Sequence, residues 1–132
     1  MTFEQETHGV LVRVEPNYLV EESDPEESRF VFSYTVEIEN RTGSTLQLLS
    51  RHWLITDALG VRQEVRGQGV VGQQPVLRPG ESFDYTSAAP LHAPSGVMVG
   101  SYEMTRLETG ERFTLPVPAF ALDSPFETRL AN

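Results

Sequence analysis

Gly67, Gly69 and Gly72, within "RGQGVVGQQP" at residues 66–75, stand in the spacing G-x-G-x-x-G. The chemistry of that pattern is phosphate binding. In a dinucleotide site a strand runs into a tight glycine turn and the second glycine lets the backbone approach pyrophosphate. A helix then begins with its N–H groups aimed at the anion. Here Pro75 and Pro79 fall where that helix would run, and no helical spacing surrounds them. A Rossmann turn is therefore excluded. What survives is a helix-free anion loop, a concave nest of successive N–H groups. Arg62, Arg66 and Arg78 flank it against Glu64 alone, a local excess of positive charge in a chain of net charge −9. The same residues also fit a plain bend or bulge between strands, with Val70 and Val71 plugging the end of the fold.

Other chemistry is sparse. His8, His52 and His92 are scattered, with no H-x-H or H-E-x-x-H spacing around them. Ser50 and His52 would share one face of a strand, but a serine and a histidine need a carboxylate and an oxyanion hole to make a nucleophile. The stretch "EESDPEE" at 21–27 gathers five carboxylates without the order or the turn glycine of a calcium loop. It reads as a solvated acidic loop. No catalytic residue, metal site or cofactor is expected.

Elements that could position the loop follow from alternation. In "RFVFSYTVEIEN" Phe30, Phe32, Tyr34, Val36 and Ile38 share one face, and Ser33, Thr35, Glu37 and Glu39 the other. This is a strand between core and water. "TLQLLSRHWLIT" is apolar enough on both faces for a sheet centre. With "RTGS" at 41–44 between them, the two strands read as one long hairpin. Further strands are expected at "GVLVRVEP", "VRQEV", "SFDYTSA", "VMVGSYEMTRL" and "ERFTLPVPAFAL", about seven in all. Pro116 and Pro118 suit an edge strand, where a missing N–H is harmless. Trp53, Phe30, Phe32 and Tyr34 are expected in the core, with Tyr85 and Tyr102 nearer a surface groove. Short strands punctuated by nine prolines and ten glycines predict an all-β antiparallel sandwich of fibronectin type III or immunoglobulin kind.

A chain of 132 residues fits a single domain, 1–132, with an ordered core over about 8–122 between short tails. No apolar run approaches the ~18 residues of a membrane span. The first residues lack the basic and apolar regions of a secretory signal, so membrane insertion is not expected and a cytoplasmic location is. Cysteine is absent, which removes disulfides, thiolate catalysis and sulfur-ligated zinc. Ten acids against two arginines in residues 1–40 hold most of the negative charge, and no basic face is available for nucleic acid.

The stretches "RFVFSYTVEIEN" (29–40), "LQLLSRHWLITDALG" (46–60), "VRGQGVVGQQPVLRPGESFDYTSA" (65–88) and "GSYEM" (100–104) resemble the bacterial ApaG family. The resemblance implies a fibronectin type III-like sandwich and a non-enzymatic binding module for an unidentified protein partner. It also implies an indirect link to Co²⁺ resistance and Mg²⁺ efflux. Its alternative implication is pyrophosphate or nucleotide-phosphate binding at Gly67, Gly69 and Gly72, which match the family's loop position by position.

Overall fold

The computed structural model describes residues 1–126. Among these, nine strands form two antiparallel sheets packed face to face. They are β1 (Phe3–Thr7), β2 (Val10–Tyr18), β3 (Phe30–Asn40), β4 (Leu46–Asp57), β5 (Arg62–Gln68), β6 (Val76–Leu77), β7 (Ser82–Leu91), β8 (Ser95–Arg106) and β9 (Arg112–Asp123). The first sheet runs β1-β2-β3-β7; the second runs β5-β4-β8-β9, with β6 also paired to β4. The architecture is the expected β-sandwich. The alternation in β3 is realised, with Phe30, Phe32, Tyr34, Val36 and Ile38 buried and Glu37 and Glu39 outward. β4 lies inside the second sheet, and β9 with its two prolines lies at the edge.

The structure departs from the sequence expectation in three places. First, nine strands replace about seven. Residues 3–7, expected as a tail, pair with β2 from Phe3↔Val14 to Thr7↔Val10, and beyond residue 122 the ring of Phe126 meets Tyr18 and Phe30. The short β6 is the other addition.

Second, β3 and β4 are not a hairpin. β3 pairs with β2 and β7, whereas β4 pairs with β5, β6 and β8, so residues 41–45 cross between sheets. Buried Asn40 organises the crossing. Its amide donates to the carbonyls of Ser44 (2.8 Å) and Leu77 (2.9 Å), and its oxygen accepts from the N–H and hydroxyl of Thr42. A buried amide with its bonding filled in this way fixes an arch that two-strand periodicity does not encode.

Third, Tyr85 and Tyr102 are buried rather than groove-facing. Their hydroxyls hydrogen-bond to one another between β7 of the first sheet and β8 of the second, a polar stitch through the core. Burial, the largest cause, pushes both phenols above the ordinary tyrosine range. The fold thus favours the protonated forms. The stabilisation they contribute is complete below the unfolded-state pKa of about 10 and disappears as pH rises above it. Alkaline titration followed by circular dichroism should show the wild type losing stability above about pH 10. Tyr102→Phe, which strands the Tyr85 hydroxyl, should cost about 1–3 kcal/mol at neutral pH. An unchanged melting temperature would refute the stitch.

Candidate functional site

β5 alternates: Arg62, Glu64, Arg66 and Gln68 are exposed, while Gln63, Val65 and Gly67 turn toward the interior. Gly67 lies opposite Arg51 on β4, and a Cβ there would sit 2.8 Å from the guanidinium nitrogens. The missing side chain makes room for Arg51, whose Nη1 donates to the carbonyls of Gln68 (3.2 Å) and Gly69 (2.9 Å). At Gly69, with φ +66°, a Cβ would meet the Gln73 carbonyl oxygen at 2.2 Å. Val70 and Gln73 exchange both backbone hydrogen bonds, at 2.8 and 2.9 Å, around Val71 (φ 43°) and Gly72 (φ 79°). Two central residues at positive φ make a type I′ hairpin turn. Val70 is completely buried as a plug, whereas Val71 is 54% exposed at the tip.

The turn consumes most of its own donors. The N–H groups of Gly69, Val70 and Gln73 bond to the carbonyls of Leu49, Gln73 and Val70. Those of Val71 and Gly72 make no hydrogen bond among the described residues. Nor do the three predicted arginines converge. Arg62 pairs across to Thr56, while Arg78 follows Leu77, which pairs with Leu46. Those two positions on β4 are about 33 Å apart at strand rise. Arg66 remains near the loop and is bound to Glu64 at 3.1 Å. The loop's cation is instead Arg51, which the sequence reading missed. Its same-face spacing to Trp53 was the available signal that it points inward, toward the glycines.

On the outer face of the second sheet, Glu64 also meets His52, with Nε2 to Oε2 at 2.7 Å. His52, followed by Arg66, draws the Glu64 carboxyl below its usual range. Ser101 lies directly across from His52, and Ser50 across from Gln68 and Glu103. These residues line a shallow cleft of about 450 Å³. The carboxylate lacking beside Ser50 and His52 in the sequence is thus supplied by Glu64, from the neighbouring strand. The carboxylates of Glu64 and Glu103 balance the cations here, so the cleft is not an anion trap. No group of three or more histidines or carboxylates that could hold a metal occurs among the described residues.

Further along the same face the surface turns apolar. Leu54 pairs with Val99, Thr56 with Val97, and Val97 with Ala121, so that Val97 (46% exposed) and Val99 (49%) stand together beside half-buried Leu54. Arg62 on β5, opposite Thr56, stands beside this stripe and has no side-chain partner among the described residues. Arg112, also without one, pairs with Thr105 about 20 Å further along β8 and lies at the far end of the same face. The first sheet's outer face is different in kind. There Arg13 bonds Glu4 and Glu37 and lies 3.5 Å from Glu39, and Arg41 bonds Glu6 and Glu39.

The glycine turn makes opposite demands at neighbouring positions. Val71, a β-branched residue held at positive φ, carries a strain of about 1–2 kcal/mol. Val71→Asn should raise stability by about 1 kcal/mol, while Gly69→Ala should lower it by about 2 kcal/mol or more through collision with the Gln73 carbonyl. Urea unfolding of both variants checks this; equal effects would contradict the turn geometry.

Residues 20–106 match the ApaG domain family model. The chain is 55% identical over 130 residues to Protein ApaG of Methylorubrum extorquens strain PA1, covering 98% of this chain and 99% of that protein. It is 57% identical over 123 residues to Protein ApaG of Rhodospirillum centenum, covering 93% and 94%. Among solved structures, the putative ApaA protein from Bordetella pertussis superposes with a TM-score of 0.85 at 49% identity, over 89% of this chain and 94% of that one. The C-terminal domain of wzt, at 9% identity and a TM-score of 0.55 over 93% of this chain and 77% of that one, shares the fold alone. Matches of this extent and identity show that the chain belongs to the ApaG domain family.

Proposed function

We propose that this chain is a cytoplasmic, non-enzymatic binding module that docks a protein partner on the outer face of its second sheet. The observation that carries this reading is the stripe of Leu54, Val97 and Val99 beside the unpartnered cation Arg62. Two half-exposed valines two residues apart on one face of a strand gain from burial, and an apolar centre with an arginine at its rim is the usual anatomy of a protein interface. The opposite face offers little of this, because its arginines are already neutralised. The link to Co²⁺ resistance and Mg²⁺ efflux implied by the family is then indirect and runs through the partner. No helix among the described residues is long and apolar enough to cross a membrane.

Pyrophosphate or nucleotide-phosphate contact at the glycine loop is the second reading, supported by the two N–H groups that Val71 and Gly72 leave outside the turn's own bonding. Such a site would draw on Arg66 alone of the three arginines named from the sequence. Amide shifts at residues 69–74 during a pyrophosphate titration would favour it.

The docking reading is tested by comparing proteins recovered from cells by the tagged wild type and by Val99→Asp. Replacing a central apolar contact should cut recovery of a specific partner about tenfold or more. An exposed substitution should leave the melting temperature nearly unchanged. Equal recovery by a folded Val99→Asp would sink the proposal.

A further inference from the structure

The free edge of β5 has a property separate from the choice of partner for the sheet face. Asp57 N–H bonds the Val61 carbonyl at 3.0 Å and Gly69 N–H bonds the Leu49 carbonyl at 2.8 Å. In an antiparallel pair the bonded positions recur every second residue. These two bonds bracket β5, so its odd-numbered residues bond β4. The N–H and C=O groups of Arg62, Glu64, Arg66 and Gln68 therefore point away from the sheet into an open edge.

An open edge is a template for another strand unless something blocks it. The other three edges carry blocks. β9 lacks N–H groups at Pro116 and Pro118. The charged residues of β1 are Glu4 and Glu6 alone, so self-pairing sets acid against acid. β7 has Asp84 with no cation on its exposed row and Pro90 near its end. β5 contains no proline, and its exposed row reads cation, anion, cation, amide.

We propose that β5 pairs antiparallel with β5 of a second copy of this chain, about a two-fold axis at Val65, joining the two second sheets into one. In this register Glu64 faces the second copy's Arg66, and the symmetry repeats the pair. Arg62 faces Gln68, Gln63 faces Gly67, and Val65 faces its own mate. No like charges stand directly opposite. Moving the axis by one residue to Glu64 would set the two Glu64 carboxylates against each other and Arg62 against Arg66. Moving it to Gln63 would put Arg66 opposite Gly60, outside β5, so only the axis at Val65 pairs the strand along its whole length without like charges opposed. The free backbone groups of Glu64 and Arg66 meet those of the mate, as an isologous dimer requires. Val65, already packed against the core from the inner face, gains its counterpart as a further apolar contact. Glu64 is held beside its own Arg66 and His52, so the added arginine completes a network already in place.

Sedimentation equilibrium on the full chain tests the dimer, and charge reversal tests its register. Glu64→Arg alone and Arg66→Glu alone each convert both attractive pairs into repulsive ones and should weaken dimerisation about tenfold or more. The double variant E64R/R66E restores both pairs and should recover the dimer. The chain has no cysteine, which permits a second test that leaves the charges intact. Val65→Cys places two thiols with Cα atoms about 4.5 Å apart in a non-hydrogen-bonded pair, within disulfide range, and should cross-link rapidly with diamide. Gln63→Cys places them about 13 Å apart along the strands and should not. A chain that stays monomeric, a dimer indifferent to both single reversals, or equal cross-linking at 63 and 65 would overturn the proposal. Because these readouts need no other protein, failure of the dimer and failure of the docking face are distinguishable.

Discussion

The indole of Trp53 lies on the bare backbone of Gly100, where a Cβ would come within 2.3 Å of the ring. Much else in the second sheet follows from that contact. With no side chain beneath it, the largest ring of the chain fits between the sheets, edge-on to Tyr34, Tyr102 and Phe120. A strand offers each residue one of two faces, so fixing Trp53 inward also turns Arg51 inward and His52 and Leu54 outward. Leu48 must be inward too, yet it lies an odd five residues from Trp53. The bulge between Leu48 and Ser50 supplies the extra residue that reconciles the two. The loop brace and the exposed face are thus consequences of one packing choice in β4.

The three glycines then answer three different spatial demands. Gly67 leaves room for the Arg51 guanidinium, Gly69 avoids the Gln73 carbonyl, and Gly72 accepts the left-handed backbone of a type I′ turn. Their spacing matches a phosphate fingerprint because a strand end followed by a two-residue hairpin asks for small residues at similar intervals. Arg51 spends one nitrogen on two loop carbonyls, so the brace holds the turn to β4 by the backbone and leaves the tip at Val71 in solvent.

The sequence was most informative where a single strand decides the outcome. The alternation from Phe30 to Ile38 marked a half-buried strand, the two-sided hydrophobicity around Trp53 marked an interior one, and Pro116 and Pro118 marked an edge. It was least informative where two strands must be known together. Asn40 reads as a turn residue, but its bonds to Ser44 and Leu77 carry the chain across the sandwich, so a hairpin was expected where an arch exists. The Tyr85–Tyr102 stitch and the His52–Glu64 pair are equally non-local, joining residues 17 and 12 positions apart through registers that periodicity does not encode. Residues 3–7 read as an acidic tail because Glu4 and Glu6 dominate them. Their Phe3 packs inward against Phe120 and their carboxylates meet Arg13 and Arg41.

The two outer faces express opposite solutions to the same net charge. On the first sheet carboxylates and arginines neutralise one another in cross-strand bridges; on the second, valines and unpartnered arginines remain open. The central claim is that the second face is where this protein is recognised. A photo-activated benzophenone side chain placed at Val99, and in a separate variant at Thr35 on the first sheet, tests it in living cells. The account predicts a discrete cross-linked product from position 99 and none above background from position 35. Cross-linking from position 35 alone would contradict it.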